Sequence, residues 1–244
     1  MSLADLVTSG RTKGRPRKQM IAGEPGIGKS TLANAYPKPI FLRTEDGDVD
    51  ADALPLVHQW SEVISQFKML LDEGHNYGTL VVDAVDGLER LIFEEVCRKN
   101  QKSSIEDFGY SKGYLKAVPQ WEILARGFNQ LVTKKNMNVV LISHTHIKTF
   151  TAPDSESFDR YEPRMNKHGV SFLTEYCDEV LMCVHDRKVK VSDTGKGKVK
   201  ASSRVIITNP DSGFALAKNR LDLPEEIPFD RDNLDGIVKM LLNK

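Results

Sequence analysis

Residues 23–30, Gly23-Glu24-Pro25-Gly26-Ile27-Gly28-Lys29-Ser30, satisfy G-x-x-x-x-G-K-[ST] at every fixed position. The apolar run Met20-Ile21-Ala22 leads into them as a strand should. Ser30 to Tyr36 follows as a short helix, and Pro37 stops it. Glycines let a backbone curl so that successive N–H groups point inward at phosphate oxygens. Gly23, Glu24, Pro25, Gly26, Ile27, Gly28, Lys29, Ser30 and Thr31 are therefore expected to cradle a nucleoside triphosphate. Lys29 would reach the β- and γ-phosphates, and the Ser30 hydroxyl would ligate Mg²⁺.

The rest of the chain alternates strand and helix patterns. Residues 39–43 read as a second strand that runs into an acidic turn at 44–48. Asp46, Asp48, Asp50 and Asp52 alternate there, but the glycine and closing glutamate of a calcium loop are not at the required offsets. Leu54 to His58 suggests a short strand. Val63, Ile64, Phe67, Leu70 and Leu71 form one apolar helical face over 61–73. Thr79-Leu80-Val81-Val82-Asp83 reads as a buried strand ending in a carboxylate, followed by a helix over 86–99. Residues 100–114 read as a loop and 115–135 as a long helix. Asn138 to Ser143 is another buried strand, and 146–169 reads as a long irregular segment. A helix and a strand are expected over 170–185, then a basic hairpin over 186–203 with a Gly-Lys-Gly tip. Late strands are expected at 205–208 and 213–217, and a final helix at 231–242. This alternation implies an α/β fold: a mostly parallel sheet with helices on both faces and a late β-hairpin.

Residues 1–17 read as a flexible basic arm and 18–244 as a single domain. Lysine plus arginine, at 34, equal aspartate plus glutamate, at 34, so any nucleic-acid contact must be local rather than a global field. Cys97, Cys177 and Cys183 show no metal spacing and read as reduced thiols of a cytoplasmic protein. No apolar run approaches membrane-spanning length, and no secretion signal follows the basic leader.

Asp83, some fifty residues after Lys29, fits an apolar strand delivering a carboxylate to the Mg²⁺ shell beside Ser30. Val81-Val82-Asp83-Ala84-Val85 resembles the second nucleotide motif of RecA-like ATPases. Ala84 stands where AAA+ ATPases usually carry a catalytic glutamate. The resemblance instead places the catalytic acid just after the second strand, in Phe41-Leu42-Arg43-Thr44-Glu45, which makes Glu45 the candidate base. In the same family the strand matching Val139 to His144 ends in a polar γ-phosphate sensor, often glutamine; His144 occupies that place here. His144 and His146 also suggest half of a zinc site, with no further ligand at the required spacing. Ala217-Lys218-Asn219-Arg220-Leu221 resembles the late strand whose two cations, here Lys218 and Arg220, reach into a neighbour's ATP site.

Together these segments are similar to phage-encoded RecA-like ATPases of the single-strand annealing (Sak-type) class. That resemblance implies ATP, Mg²⁺, single-stranded DNA, a single-strand-binding protein as partner, a homo-oligomeric ring or filament, and work in the host cytoplasm rather than at a membrane. It turns residues 100–114 and 146–169 toward the nucleic acid, with Tyr110, Lys112, Arg160, Arg164 and Lys167 as candidate contacts. Three other readings compete. They are an AAA+ ATPase that loads or remodels a replication protein, a non-catalytic ATP switch, and a small-molecule phosphotransferase.

Overall fold

A computed structural model of the chain describes residues 14–47, 50–151, 156–191, 197–211 and 213–243. Residues 1–13 of the expected arm and 192–196 of the expected hairpin tip lie outside the described residues. The strands are β1 (Lys18–Gly23), β2 (Pro39–Arg43), β3 (Thr79–Asp83), β4 (Asn138–Phe150), β5 (Phe158–Pro163), β6 (Glu179–Val191), β7 (Gly197–Ile207) and β8 (Glu226–Pro228). The helices are α1 (Lys29–Asn34), α2 (Trp60–Asp72), α3 (Val85–Lys99), α4 (Lys112–Lys134), α5 (Lys167–Tyr176) and α6 (Leu234–Leu241).

The sheet runs in the order β2-β3-β4-β1-β6-β7-β8, with β5 attached to β4. The first five strands of that order are parallel; β7 adds antiparallel to β6, and β8 antiparallel to β7. This is the mostly parallel sheet with a late hairpin expected of a RecA-like P-loop fold. Side chains alternate across it, as strand geometry requires. Met20, Leu42, Leu80, Val82, Val139 and Leu141 face the core built with α2, α3 and α4. Ile21, Phe41, Val81, Val140 and Ile142 face the other core, with α1 and α6. Burial on both faces explains why these strands are continuous apolar runs rather than alternating ones.

Four segments depart from the sequence-based expectation. Leu54 to His58 is not a strand; residues 52–57 lie along the edge of β2, with one bridge between Phe41 and Ala53. Pro55 has no N–H, so a regular ladder cannot continue through it. Within 100–114, Ile105–Phe108 forms a 3-10 turn closed by a capping box between Ser104 and Asp107, and α4 begins at Lys112. Within 146–169 the described residues are regular: β4 continues to Phe150 and pairs antiparallel with β5, and residues 152–155 lie outside the described residues. Thr149 bonds Asp159 at 2.8 Å, Lys148 meets Glu162 at 3.1 Å, and the Phe150 and Phe158 rings lie 5.4 Å apart. Such cross-strand pairs stabilise a two-stranded arm that has little core of its own. Residues 213–217 make only an isolated bridge, Ala215 to Tyr161.

Two residues of the expected arm are engaged with the sheet. Arg15 reaches Asp178 at 2.8 Å, and buried Arg17 pairs with Glu179 while its N–H bonds the Asn138 side chain at 2.9 Å. Gln19 joins the same network, bonding Glu179 at 2.9 Å and accepting from Tyr36 at 2.6 Å. Each member of this buried cluster is satisfied by another, which is the condition for tolerating charge there.

Candidate active site

The loop after β1 has the geometry its glycines imply. Gly26 and Gly28 have φ of 75° and 112°, a region that side-chain-bearing residues avoid. Gly23 has no space for a Cβ, which would stand 2.7 Å from the Cys183 carbonyl oxygen. Ile27 pins the loop to the core from within, fully buried. The Lys29 amine donates to the carbonyls of Gly23 and Glu24 at 2.9 and 3.0 Å. Burial lowers its pKa, and nearby Asp83, Asp86 and Glu45 oppose that shift.

Asp83 faces this loop across the end of β3. Ser30 Oγ donates to Asp83 Oδ2 at 2.7 Å. Burial raises the Asp83 pKa against the pull of Ser30 and Lys29. The strand ends are locked together by one hydroxyl: Thr44 Oγ1 donates to the Ala84 carbonyl at 2.6 Å and accepts from the Ala84 N–H at 3.0 Å. A Cβ on Gly87 would collide with the Thr44 side chain, so only glycine lets α3 approach this closely. Glu45, the next residue, is thereby fixed at the rim with 41% of its side chain exposed.

His144 sits level with Gly23, because β4 lies between β1 and β3 and pairs with both. Its Nδ1 lies 2.8 Å from Asp86 Oδ2 and 3.9 Å from Glu45 Oε1. Its backbone N–H donates to Asp86 Oδ1 at 3.3 Å. Arg164 completes the cluster, donating to Asp86 Oδ2 at 2.7 Å. Burial alone would raise the Asp86 pKa, but the bonds from His144 and Arg164 outweigh it and hold the carboxyl at about 2. Asp86 is therefore a fixed negative charge that orients His144, not a proton acceptor at neutral pH. Glu45, Asp86 and His144 stand within 4.8 Å of one another, whereas His146 is not in the group.

Asp86 is the residue the sequence reading passed over. Its signal was its spacing: three residues beyond Asp83, in the first turn of a helix that starts at the strand end. Arg164, expected at DNA, donates to Asp86 in the structure. Arg160 is also engaged within the chain, paired with Glu162 at 2.5 Å and stacked 4.2 Å from the Phe150 ring. Lys167 lines a shallow cleft with Lys148, Arg160 and Glu162. Tyr110, 98% exposed, and Lys112 are presented together at the head of α4.

Lys218 and Arg220 lie away from the rim. Lys218 bridges Val180, which pairs with Met20 near the start of β1. Its amine donates to the carbonyls of Thr174, Glu175 and Cys177 at 2.7, 2.9 and 2.6 Å, closing the C-terminal end of α5. Arg220 lies 3.9 Å from Asp178, with 55% of its side chain exposed.

One buried acid connects the rim to the segment carrying Arg164. Glu89, one helical turn after Asp86, accepts the Asn166 N–H at 2.9 Å, while its other oxygen is buried without a partner among the described residues. Burial raises its pKa from 4.5 to about 7. The folded state thus holds a proton that the unfolded chain releases above pH 4.5. Stability should fall by about 3 kcal/mol between pH 4.5 and 7.5 through this group alone. Urea titrations of Glu89→Gln and the unmodified protein across that range check this: the difference between them should grow in favour of Gln as pH rises. A difference independent of pH would remove Glu89 as the cause.

A glycine loop with a buried lysine, a serine facing a strand-end aspartate and an acid at the neighbouring strand end define a P-loop ATPase. A family model described as an AAA domain matches residues 15–221. The chain belongs to this AAA-domain family. Among solved structures it is similar to the RadB recombinase, with a TM-score of 0.48 and 12% identity over 90% of each chain. No curated protein sequence matches the chain. Among the described residues, no helix is long and apolar enough to cross a membrane.

Proposed function

We propose that this protein hydrolyses ATP at the rim formed by β1, β2, β3 and β4, and couples that hydrolysis to single-stranded DNA during phage recombination, by annealing or pairing strands. The observation carrying the catalytic part is the convergence of Lys29, Ser30, Asp83, Glu45 and His144 at adjacent strand ends. The Ser30 hydroxyl and Asp83 carboxylate, 2.7 Å apart, are oxygen donors suited to a hard divalent cation and would hold Mg²⁺. When bound, that ion would offset negative charge on the phosphate chain. Lys29 and the loop amides hold the phosphates in line. Glu45 orients the attacking water and takes its proton. His144, its ring fixed by Asp86, senses the γ-phosphate. Lys218 serves α5 within its own chain, which leaves Arg220 as the cation for a neighbour. Arg220 lies by the start of β6, at the far end of the strands from its own phosphate loop, so it would act only in a head-to-tail oligomer.

Tyr110 and Lys112 support the DNA part, since an exposed ring stacks on bases and an adjacent cation meets phosphate. A single-strand-binding protein is the proposed partner. The test is the ATP hydrolysis rate with and without single-stranded DNA. Stimulation that weakens in Tyr110→Ala is expected. Turnover indifferent to DNA, with no DNA binding at low salt, would overturn the recombination reading. The AAA-domain match favours one second reading in that event, an ATPase that loads or remodels a replication protein.

A further inference from the structure

The half-buried Arg204, on β7, approaches the phosphate loop from the β6 side. Its Nη1 lies 3.7 Å from the position a Cβ on Gly28 would take, and the Phe229 ring edge lies 3.1 Å from the same point. Phe229 is buried, and its backbone N–H donates to the Arg204 carbonyl at 2.8 Å, so β7 and the segment after β8 fix both residues against the loop. Across the β6–β7 ladder, Arg204 stands opposite His185. Among the described residues, the guanidinium makes no ion pair and no hydrogen bond. Arg15, Arg17, Arg90, Arg98, Arg160 and Arg164 each have a carboxylate partner. A half-buried cation without a counter-charge is costly to hold, and an arriving anion relieves that cost.

We infer that Arg204 is a nucleotide-binding residue, supplying in cis a second cation to the phosphate chain at the Gly28 side of the loop. The inference rests on the nucleotide reading of the loop. Position decides which phosphates it meets. Loop amides of this motif cradle the α- and β-phosphates, while the lysine extends to the β- and γ-phosphates. Arg204 is next to Gly28, so its contact falls at the end of the chain that ATP and ADP share. A planar guanidinium can offer two parallel N–H donors to a phosphate, which an ammonium cannot.

The test is calorimetric titration of ATP and of ADP, each with Mg²⁺, into the unmodified protein, Arg204→Ala and Arg204→Lys. Arg204→Ala should weaken both nucleotides by the same factor, roughly 10- to 100-fold, the range for a hydrogen bond to a charged group. Arg204→Lys should fall between, keeping the charge without the fork. In steady-state hydrolysis, KM should rise while kcat stays near that of the unmodified protein. Unchanged affinity in Arg204→Ala overturns the inference, and a loss confined to ATP overturns the assigned position. Should Arg204→Ala not fold, Arg204→Lys carries the test alone, and unmodified affinity in that variant overturns the bidentate contact. If the unmodified protein binds neither nucleotide, the reading of the loop itself fails, a result distinct from any of these.

Discussion

Glu45→Gln is expected to lower ATP turnover by about 10²- to 10⁴-fold, the range for loss of a positioned general base. Nucleotide affinity should stay near that of the unmodified protein, because Glu45 is not part of the phosphate loop. Thr44 makes the substitution informative. Its hydroxyl is held by both the N–H and the carbonyl of Ala84, so the backbone at 45 stays in place whatever side chain follows. Gln preserves the shape and hydrogen-bonding reach of Glu but cannot accept a proton at neutral pH. Asp86→Asn is the companion variant. Asp86 is already committed to His144 and Arg164 and held at about 2, so its loss should disturb His144 rather than remove a base. Single-turnover hydrolysis separates the two roles. A Glu45→Gln rate equal to that of the unmodified protein would remove Glu45 from the mechanism and favour a switch-like site.

Lys29→Ala should cost about 10²- to 10³-fold in kcat, as expected when a preorganised charge facing a transition state is lost. It should also weaken ATP binding, since Lys29 meets the phosphates before as well as during reaction. The fold should survive. Among the described residues the amine bonds only carbonyls of its own loop, Gly23 and Glu24, and the side chain belongs to neither hydrophobic core. Equilibrium ATP binding, hydrolysis and thermal unfolding of the same preparation distinguish these effects. Hydrolysis that persists at the unmodified rate would mean that the measured activity belongs to another enzyme in the preparation.

The parallel sheet was readable because it is a two-faced buried object. Runs such as Leu80-Val81-Val82 and Val139-Val140-Leu141-Ile142 have no polar face to present, and an acid or histidine at the end of such a run must emerge at its rim. Asp83 was accessible for that reason, whereas Glu45 and His144 were picked out by the resemblance to RecA-like ATPases. The β4–β5 arm was not. Its strands gain stability from cross-strand pairs between residues 8 to 14 apart, and no periodicity within one strand announces a partner that far away. The same limit hid Asp86, whose role depends on Arg164, 78 residues later in the chain. It also hid Arg204, which reaches Gly28 only because β6 and β7 fold back beside β1. Lys218 and Arg220 look equivalent as alternating cations. Only the tertiary fold separates a side chain spent on three helix-end carbonyls from one left half exposed.

β4 belongs to two sheets at once. Residues 138–142 are clamped between β1 and β3, while residues 145–150 are held only by β5. His144 marks the crossing from one regime to the other. No glycine or proline interrupts the strand between them, so nothing along β4 can act as a joint. The arm is therefore continuous with the inner sheet through one strand, and is braced a second time where β5 bridges Ala215. His144 thus stands where a single strand passes from the braced arm into the inner sheet, beside its bond to Asp86.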